Sequence, residues 1–132
     1  MLFRSAEQYG ADPDFLCVTG GSAGGHLTAL TALSANDPAF QPGFEQVDTR
    51  VSAAVPFYGV FDFLDRARDR PLGDMTKAIG PRVFKGMPED NPELWDAVSP
   101  ITRVHAEAPP FFVIQGSHDS LDRKSTRLNS SH

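Results

Sequence analysis

The chain has 132 residues, 40% of them hydrophobic and 22% charged, which is the composition of one globular domain. Its net charge of −5 argues against a nucleic-acid-binding surface, because phosphate contacts need clustered lysine and arginine. No apolar run approaches the roughly 20 residues of a membrane-spanning helix, and no signal-peptide-like segment opens the chain, so we expect a cytoplasmic protein. Metal-ligating side chains form no cluster at ligand spacing, and we expect neither a metal nor another cofactor.

The first half of the chain alternates between helical and strand-like patterns. Apolar side chains at helical spacing predict a helix over residues 1–9, which Gly10 ends. The apolar run Phe15–Thr19 predicts a strand buried on both faces, with Cys17 as a small buried hydrophobic residue in it. Residues 23–35 predict a helix whose sheet-facing side carries four small or apolar side chains, Ala23, Leu27, Leu30 and Leu33.

The second half of the chain continues the same alternation. Val51–Gly59 predicts a second buried strand, and Phe111–Gln115 predicts a third. Between them, residues 61–103 are rich in charge and proline, with short helices predicted at Met75–Phe84 and Pro92–Val98. The order of strand, helix, strand, helices and strand predicts an α/β fold with a parallel sheet and flanking helices.

Gly20, Gly21, Ser22, Ala23 and Gly24 form the pattern Gly-x-Ser-x-Gly where the first strand passes into the first long helix. This context is typical of a nucleophile elbow, a tight turn that projects the serine hydroxyl clear of the sheet. Side chains at Gly20 and Gly24 are expected to collide with the neighbouring strand and helix. The Ala23 N–H, at the start of the helix, is the expected donor to a developing oxyanion. A phosphate-binding turn is the alternative, but GGSAGG does not supply Gly-x-Gly-x-x-Gly in register.

Four stretches, VTGGSAGGHLTAL, AAVPFYGVFDF, SPITRV and PPFFVIQGSHDSL, resemble the α/β-hydrolase fold, specifically the esterase and lipase group similar to hormone-sensitive lipase. The resemblance covers residues 1–121 and implies part of a catalytic domain, from the elbow strand to the loop of the triad acid. That family commonly has aspartate before the serine, whereas Gly21 stands there in this chain. Its pattern of glycine, two residues and aspartate falls on QGSHDSL and implies Asp119 as the acid. A turn-forming role for Asp119 is the alternative, and Asp62 and Asp65 compete with it.

The resemblance also implies that a histidine base follows the acid along the chain, and none of the four histidines fits that place. His26 lies one helical turn after Ser22, and we expect it to be packed or hydrogen-bonded. His105 precedes the acid, His118 adjoins it and His132 lies in a polar tail. We therefore expect the catalytic histidine to lie outside this chain.

The last residues, 122–132, differ in composition from the rest, since Leu128 is their only apolar side chain. We expect this tail to be disordered and of artefactual origin. The glycine-rich loop that supplies the second oxyanion donor in the family has no counterpart in the sequence. Residues 1–121 are therefore interpreted as a fragment of a catalytic domain, and we expect the chain alone to be inactive.

For the intact protein, the resemblance implies hydrolysis of a small-molecule carboxylic ester through an acyl-enzyme on Ser22. A serine peptidase or amidase of the same fold, and a non-catalytic relative that binds a ligand or partner, are the alternatives. Residues 61–103 are expected to form either cap helices over a pocket or solvated surface helices. Phe57 and Tyr58, at the end of a strand, either line a pocket or belong to the core.

Overall fold

A parallel sheet forms the centre of the molecule. The computed structural model describes residues 6–66 and 73–116. In it, β1 (Cys17–Gly21) and β2 (Ala53–Phe57) pair in parallel and in register along their whole length. The fold class predicted from the sequence, α/β with a parallel sheet and flanking helices, is confirmed.

The predicted third strand lies on the other side of β2, as an extended segment over residues 110–114. Parallel bridges join Ala54 to Phe111 and Phe57 to Ile114. The Ile114 N–H donates to the Pro56 carbonyl at 3.0 Å, which continues the parallel pairing. All three extended segments therefore end at the same edge of the sheet, where loops of parallel sheets collect functional side chains.

The helices lie near their predicted positions. The N–H of Leu94 donates to the Asn91 side chain at 3.1 Å, and Pro92 follows at the first helical position, which fixes the start of the third helix. The second helix ends in a π-helical turn. The helical elements are α1 (Ala23–Leu33), α2 (Gly73–Ile79) with its π-helical continuation (Gly80–Phe84), α3 (Pro92–Ala97) and short 3-10 turns at Glu7–Tyr9, Pro38–Phe40 and Pro100–Arg103.

The N-terminal helix is seen only as the 3-10 turn at Glu7–Tyr9, since residues 1–5 lie outside the described residues. Gly10 ends this turn as predicted. Its φ of 66° lies in the left-handed region, and its N–H donates to the Glu7 carbonyl at 3.2 Å.

The prediction that the first strand is buried on both faces is wrong. Cys17 and Thr19 are exposed, whereas Val18, on the opposite face of the strand, is partly covered. A Cβ at Gly20 would lie 2.6 Å from the Gly24 carbonyl oxygen, so this second face is the one that α1 covers. The apolar run therefore marked a strand that is partly covered on one face and exposed on the other. Cys17 lies on the exposed face and is not the buried hydrophobic residue that the sequence predicted.

The sheet-facing side of α1 was also partly mispredicted. Leu30 and Leu33 are buried as expected, but Ala23 is exposed and the Leu27 side chain is 57% exposed. Small residues cover the sheet instead, because they let the helix axis approach the strands closely. The buried residues of the helix are Gly25, Thr28, Ala29, Leu30, Ala32 and Leu33.

The segment from residue 61 to residue 103 supplies an aromatic core cluster. Trp95 is fully buried, and its ring centroid lies 4.3 Å from that of Phe84 and 6.1 Å from that of Phe63. Phe61 is buried as well. The described part of this segment is thus an integral part of the packed structure, and the charged residues of α3, Glu93 and Asp96, are exposed.

Candidate active site

Ser22 forms the connection between β1 and α1, with φ of 55° and ψ of −118°. This conformation is strained for a residue with a side chain, and surrounding bonds must hold it. The Ser22 N–H donates to the Phe57 carbonyl at 3.0 Å, and its carbonyl accepts from the His26 N–H at 3.1 Å. Although serine is a favoured helix cap, the hydroxyl makes no capping bond to α1. Ser22 is exposed.

The glycines around Ser22 differ in how much space a side chain would have at each position. A Cβ at Gly20 would collide with the Gly24 backbone at 2.6 Å, as predicted. The expected collision at Gly24 is wrong, because a Cβ there meets no described heavy atom within 4 Å. The crowded position is Gly25, where a Cβ would lie 2.3 Å from the Phe57 carbonyl oxygen. The second glycine of the SAGG run was the sequence signal for this contact, and the pattern Gly-x-Ser-x-Gly does not include it.

The Ala23 N–H, the expected oxyanion donor, is the first N–H of α1. The first N–H groups of a helix have no intrahelical acceptor, and the helix dipole makes this end partly positive. Ala23 is exposed beside Ser22, and its role as the oxyanion donor stays a prediction.

The predicted acid, Asp119, lies outside the described residues, and so do His118 and His132. The described chain reaches Gly116, just past the end of the third extended segment. Asp62, a competing carboxylate, is already engaged, since its oxygens accept from the Leu64 N–H at 3.1 Å and from the Arg66 backbone N–H at 2.8 Å.

His26 is packed and hydrogen-bonded, as predicted. Its Nε2 lies 2.8 Å from the Val98 carbonyl oxygen, and its ring meets Phe63 edge to face at 5.0 Å. A carbonyl oxygen can only accept a hydrogen bond, so Nε2 carries the hydrogen and donates it to this bond. Burial of the ring lowers the pKa of His26 below its ordinary value of 6.5, and the bond to Val98 offsets only part of this effect.

His26 should therefore make stability depend on pH. Below about pH 6.5 the unfolded chain binds the proton more readily than the folded chain does. The free energy of unfolding therefore decreases as the pH is lowered. In His26→Gln, which keeps an N–H donor but cannot be protonated, we expect a smaller fall between about pH 7.5 and pH 5. Urea denaturation at several pH values measures this, with His105→Gln as the control for an exposed histidine. Equal falls in wild type and His26→Gln would contradict the prediction.

His105 lies at the opposite edge of the sheet from Ser22. It lines a surface cleft with Val51 and Ser52, which precede β2, and a second cleft with Asp96 and Arg103. Neither cleft is lined by Ser22, and His105 is not positioned to serve it. Within residues 6–66 and 73–116, no group of three histidine, cysteine or acidic side chains is arranged to hold a metal. No helix of this described part is long and apolar enough to cross a membrane.

The sequence left open whether Tyr58 lines a pocket or belongs to the core, and the structure places it at the surface next to Gly21. It follows β2 directly, its side chain is 49% exposed, and its phenol lies against Gly21. The sequence signal was its place at a strand end, which alone did not distinguish a pocket residue from a core residue.

The curated proteins that this chain resembles in sequence are named as ester hydrolases or esterases. The chain is 54% identical over 114 residues to a probable carboxylic ester hydrolase, LipM, of Mycobacterium tuberculosis, covering 86% of this chain and 26% of that protein. It is 53% identical over 113 residues to the esterase LipQ of the same organism, with the same coverage of both chains. The chain thus spans about a quarter of the length of these curated relatives.

Solved structures show the same fold. A truncated carbohydrate esterase from gut microbiota superimposes with a TM-score of 0.74 at 22% identity, over 95% of this chain and 48% of that chain. A thermophilic esterase of Thermogutta terrifontis, with butyrate bound, matches with a TM-score of 0.63 at 26% identity, over 95% and 43% of the two chains. The sequence model of the BD-FAE family matches residues 1–130. The chain belongs to the BD-FAE family, whose members are α/β hydrolases similar to hormone-sensitive lipase.

Proposed function

We propose that Ser22 is the nucleophile of a serine carboxylesterase that acts on small-molecule esters. The conformation of Ser22 carries this proposal. Its positive φ and a hydroxyl that makes no hydrogen bond to the start of α1 are features of a nucleophile elbow. The esterase and ester-hydrolase names of the relatives support the substrate class. The cytoplasmic location expected from the sequence stays a prediction.

In the proposed reaction, Ser22 Oγ attacks the ester carbonyl carbon while a base takes the hydroxyl proton. The Ala23 N–H donates to the resulting oxyanion, and the alcohol leaves with the proton returned by the base. Water then attacks the acyl-enzyme and releases the acid. Asp119 is proposed to orient the base, a histidine that we place outside these 132 residues.

The test uses the complete protein, encoded by the reading frame that contains this chain. We expect it to hydrolyse p-nitrophenyl butyrate and to react with a fluorophosphonate probe. Ser22→Ala should lower kcat/KM by about a thousandfold or more and abolish labelling. Ser34→Ala is the matched control, because the Ser34 hydroxyl is buried with no hydrogen-bond partner among the described residues.

The same protein distinguishes the alternatives. Faster hydrolysis of an aminoacyl anilide than of any ester would favour a peptidase or amidase. Absence of labelling in a folded protein would favour a non-catalytic role. Labelling of Ser22 in the 132-residue chain alone would contradict the placement of the base outside it.

A further inference from the structure

The phenol of Tyr58 lies on the side of the elbow that α1 does not cover. An ideal Cβ at Gly21 would lie 2.6 Å from Tyr58 Oη and 2.9 Å from its Cζ. Gly21 belongs to the same face of β1 as the exposed Cys17 and Thr19, opposite the face that packs on α1. The end of the phenol ring therefore occupies the space where a side chain at position 21, the residue before Ser22, would lie.

The backbone of Tyr58 is held in this place from three directions. Its N–H donates to the Ile114 carbonyl at 2.8 Å, and the preceding carbonyl, of Phe57, accepts the Ser22 N–H at 3.0 Å. On the other side of Tyr58, Gly59 lies directly against α1, because a Cβ at Gly59 would be 2.7 Å from the backbone nitrogen of His26. The peptide group between Phe57 and Tyr58 is thus hydrogen-bonded directly to the backbone N–H of Ser22.

The backbone conformation of Tyr58 is unusual for its residue type. Its φ is 37°, in a region that aromatic residues rarely adopt. Such strain persists only where surrounding contacts enforce it, and it occurs often at functional sites. A buried aromatic would gain packing energy from this placement, but Tyr58 is 49% exposed at the edge where the three extended segments end. A strained backbone thus holds a half-exposed ring at the edge of the sheet where Ser22 lies.

We propose that Tyr58 is a specificity-determining residue, whose phenol ring forms the wall of the Ser22 site on the side opposite α1. This wall limits the size of the substrate group that lies over Gly21, so short esters are preferred to long ones. The inference rests on the proposed ester hydrolysis at Ser22. It also explains Gly21, since any Cβ at that position would displace the ring.

The test measures kcat/KM of the complete protein along two series of esters. One series lengthens the acyl group of p-nitrophenyl esters from acetyl to octanoyl, and the other lengthens the alcohol of butyrate esters. Tyr58→Ala should raise the ratio of long to short substrates by about tenfold in at least one series, as expected when a pocket gains space for several methylenes. Tyr58→Asn removes the ring in the same way and tolerates positive φ, so it guards against a variant that fails to fold.

Gly21→Ala tests the contact itself. With Tyr58 present, the added methyl should change the same ratio by several-fold, and in Tyr58→Asn it should change the ratio less than twofold, because coupling needs both partners. Tyr9→Ala, which removes a 78% exposed tyrosine from the 3-10 turn at Glu7–Tyr9, is the control and should leave the ratio unchanged.

Fluorophosphonate labelling of every variant separates the two proposals. If wild type is not labelled, the function proposed for Ser22 fails. If Tyr58→Asn is labelled like wild type but both ratios are unchanged, the assignment of Tyr58 is overturned and that of Ser22 stands. Equal effects of Gly21→Ala with and without the tyrosine ring would also overturn the wall.

Discussion

Gly25→Ala is expected to destabilise the protein by about 3 kcal/mol, whereas Gly24→Ala, one residue earlier, should leave stability unchanged or raise it. The Cβ at position 25 would lie 2.3 Å from the Phe57 carbonyl oxygen and 3.0 Å from the Gly59 nitrogen. These are backbone atoms, so no flexible side chain can move aside. The Phe57 carbonyl also accepts the Ser22 N–H, and relief of the clash should therefore displace the elbow as well.

Gly24 provides a matched control for this change. It lies in the first turn of α1, and the structure describes no heavy atom within 4 Å of its ideal Cβ. Alanine there gains about 0.5–1 kcal/mol through reduced freedom of the unfolded chain. Urea denaturation, followed by the fluorescence of the chain's single tryptophan, compares the two variants. Equal stability of Gly24→Ala and Gly25→Ala would contradict the close approach of α1 to β2.

The contrast between these glycines shows what the sequence could and could not provide. The pattern Gly-x-Ser-x-Gly, between an apolar run and a helical run, predicted where strand, Ser22 and helix lie, because local patterning determines those elements. Which glycine is crowded depends on where the next strand ends. Phe57 lies 32 residues after Gly25 in the chain, and no local pattern reports that distance.

The degree of burial was harder to predict than the elements themselves. An apolar run such as Phe15–Thr19 marks a strand, but it does not say whether one or both faces are covered. Cys17 was expected to be buried for this reason, and Leu27 because of its helical spacing, and both are exposed. The small residues Ala29 and Ala32 are buried instead, although a larger residue is the usual marker of a buried face.

The candidate site was predictable only in part. Ser22 and Ala23 could be proposed from the sequence because one short motif contains both. For Tyr58 the sequence left pocket and core open, because a tyrosine at a strand end has no motif of its own, and only the location of its ring over Gly21 distinguishes them. Asp119 remains a prediction, three residues beyond the described Gly116.

Trp95→Ala is expected to cost about 3–5 kcal/mol of stability, which is a large share of the 5–15 kcal/mol typical of a folded domain. Trp95 is fully buried, and its ring packs on Phe84 and Phe63. Phe63 in turn contacts His26, which bonds the first turn of α1 to Val98. Loss of the indole should therefore loosen the connection between residues 61–103 and the elbow helix, in addition to opening a cavity.

Trp95→Phe separates the two contributions. It keeps an aromatic ring in the cluster and removes an indole N–H that has no hydrogen-bond partner among the described residues, so we expect a clearly smaller loss than for alanine. Phe112→Ala is the surface control, because Phe112 is 67% exposed and should cost about 0.5 kcal/mol or less. Urea denaturation followed by far-ultraviolet circular dichroism measures all three without relying on tryptophan fluorescence. If Trp95→Ala costs no more than Phe112→Ala, the aromatic cluster does not stabilise the fold, and the elbow helix must be held by the sheet alone.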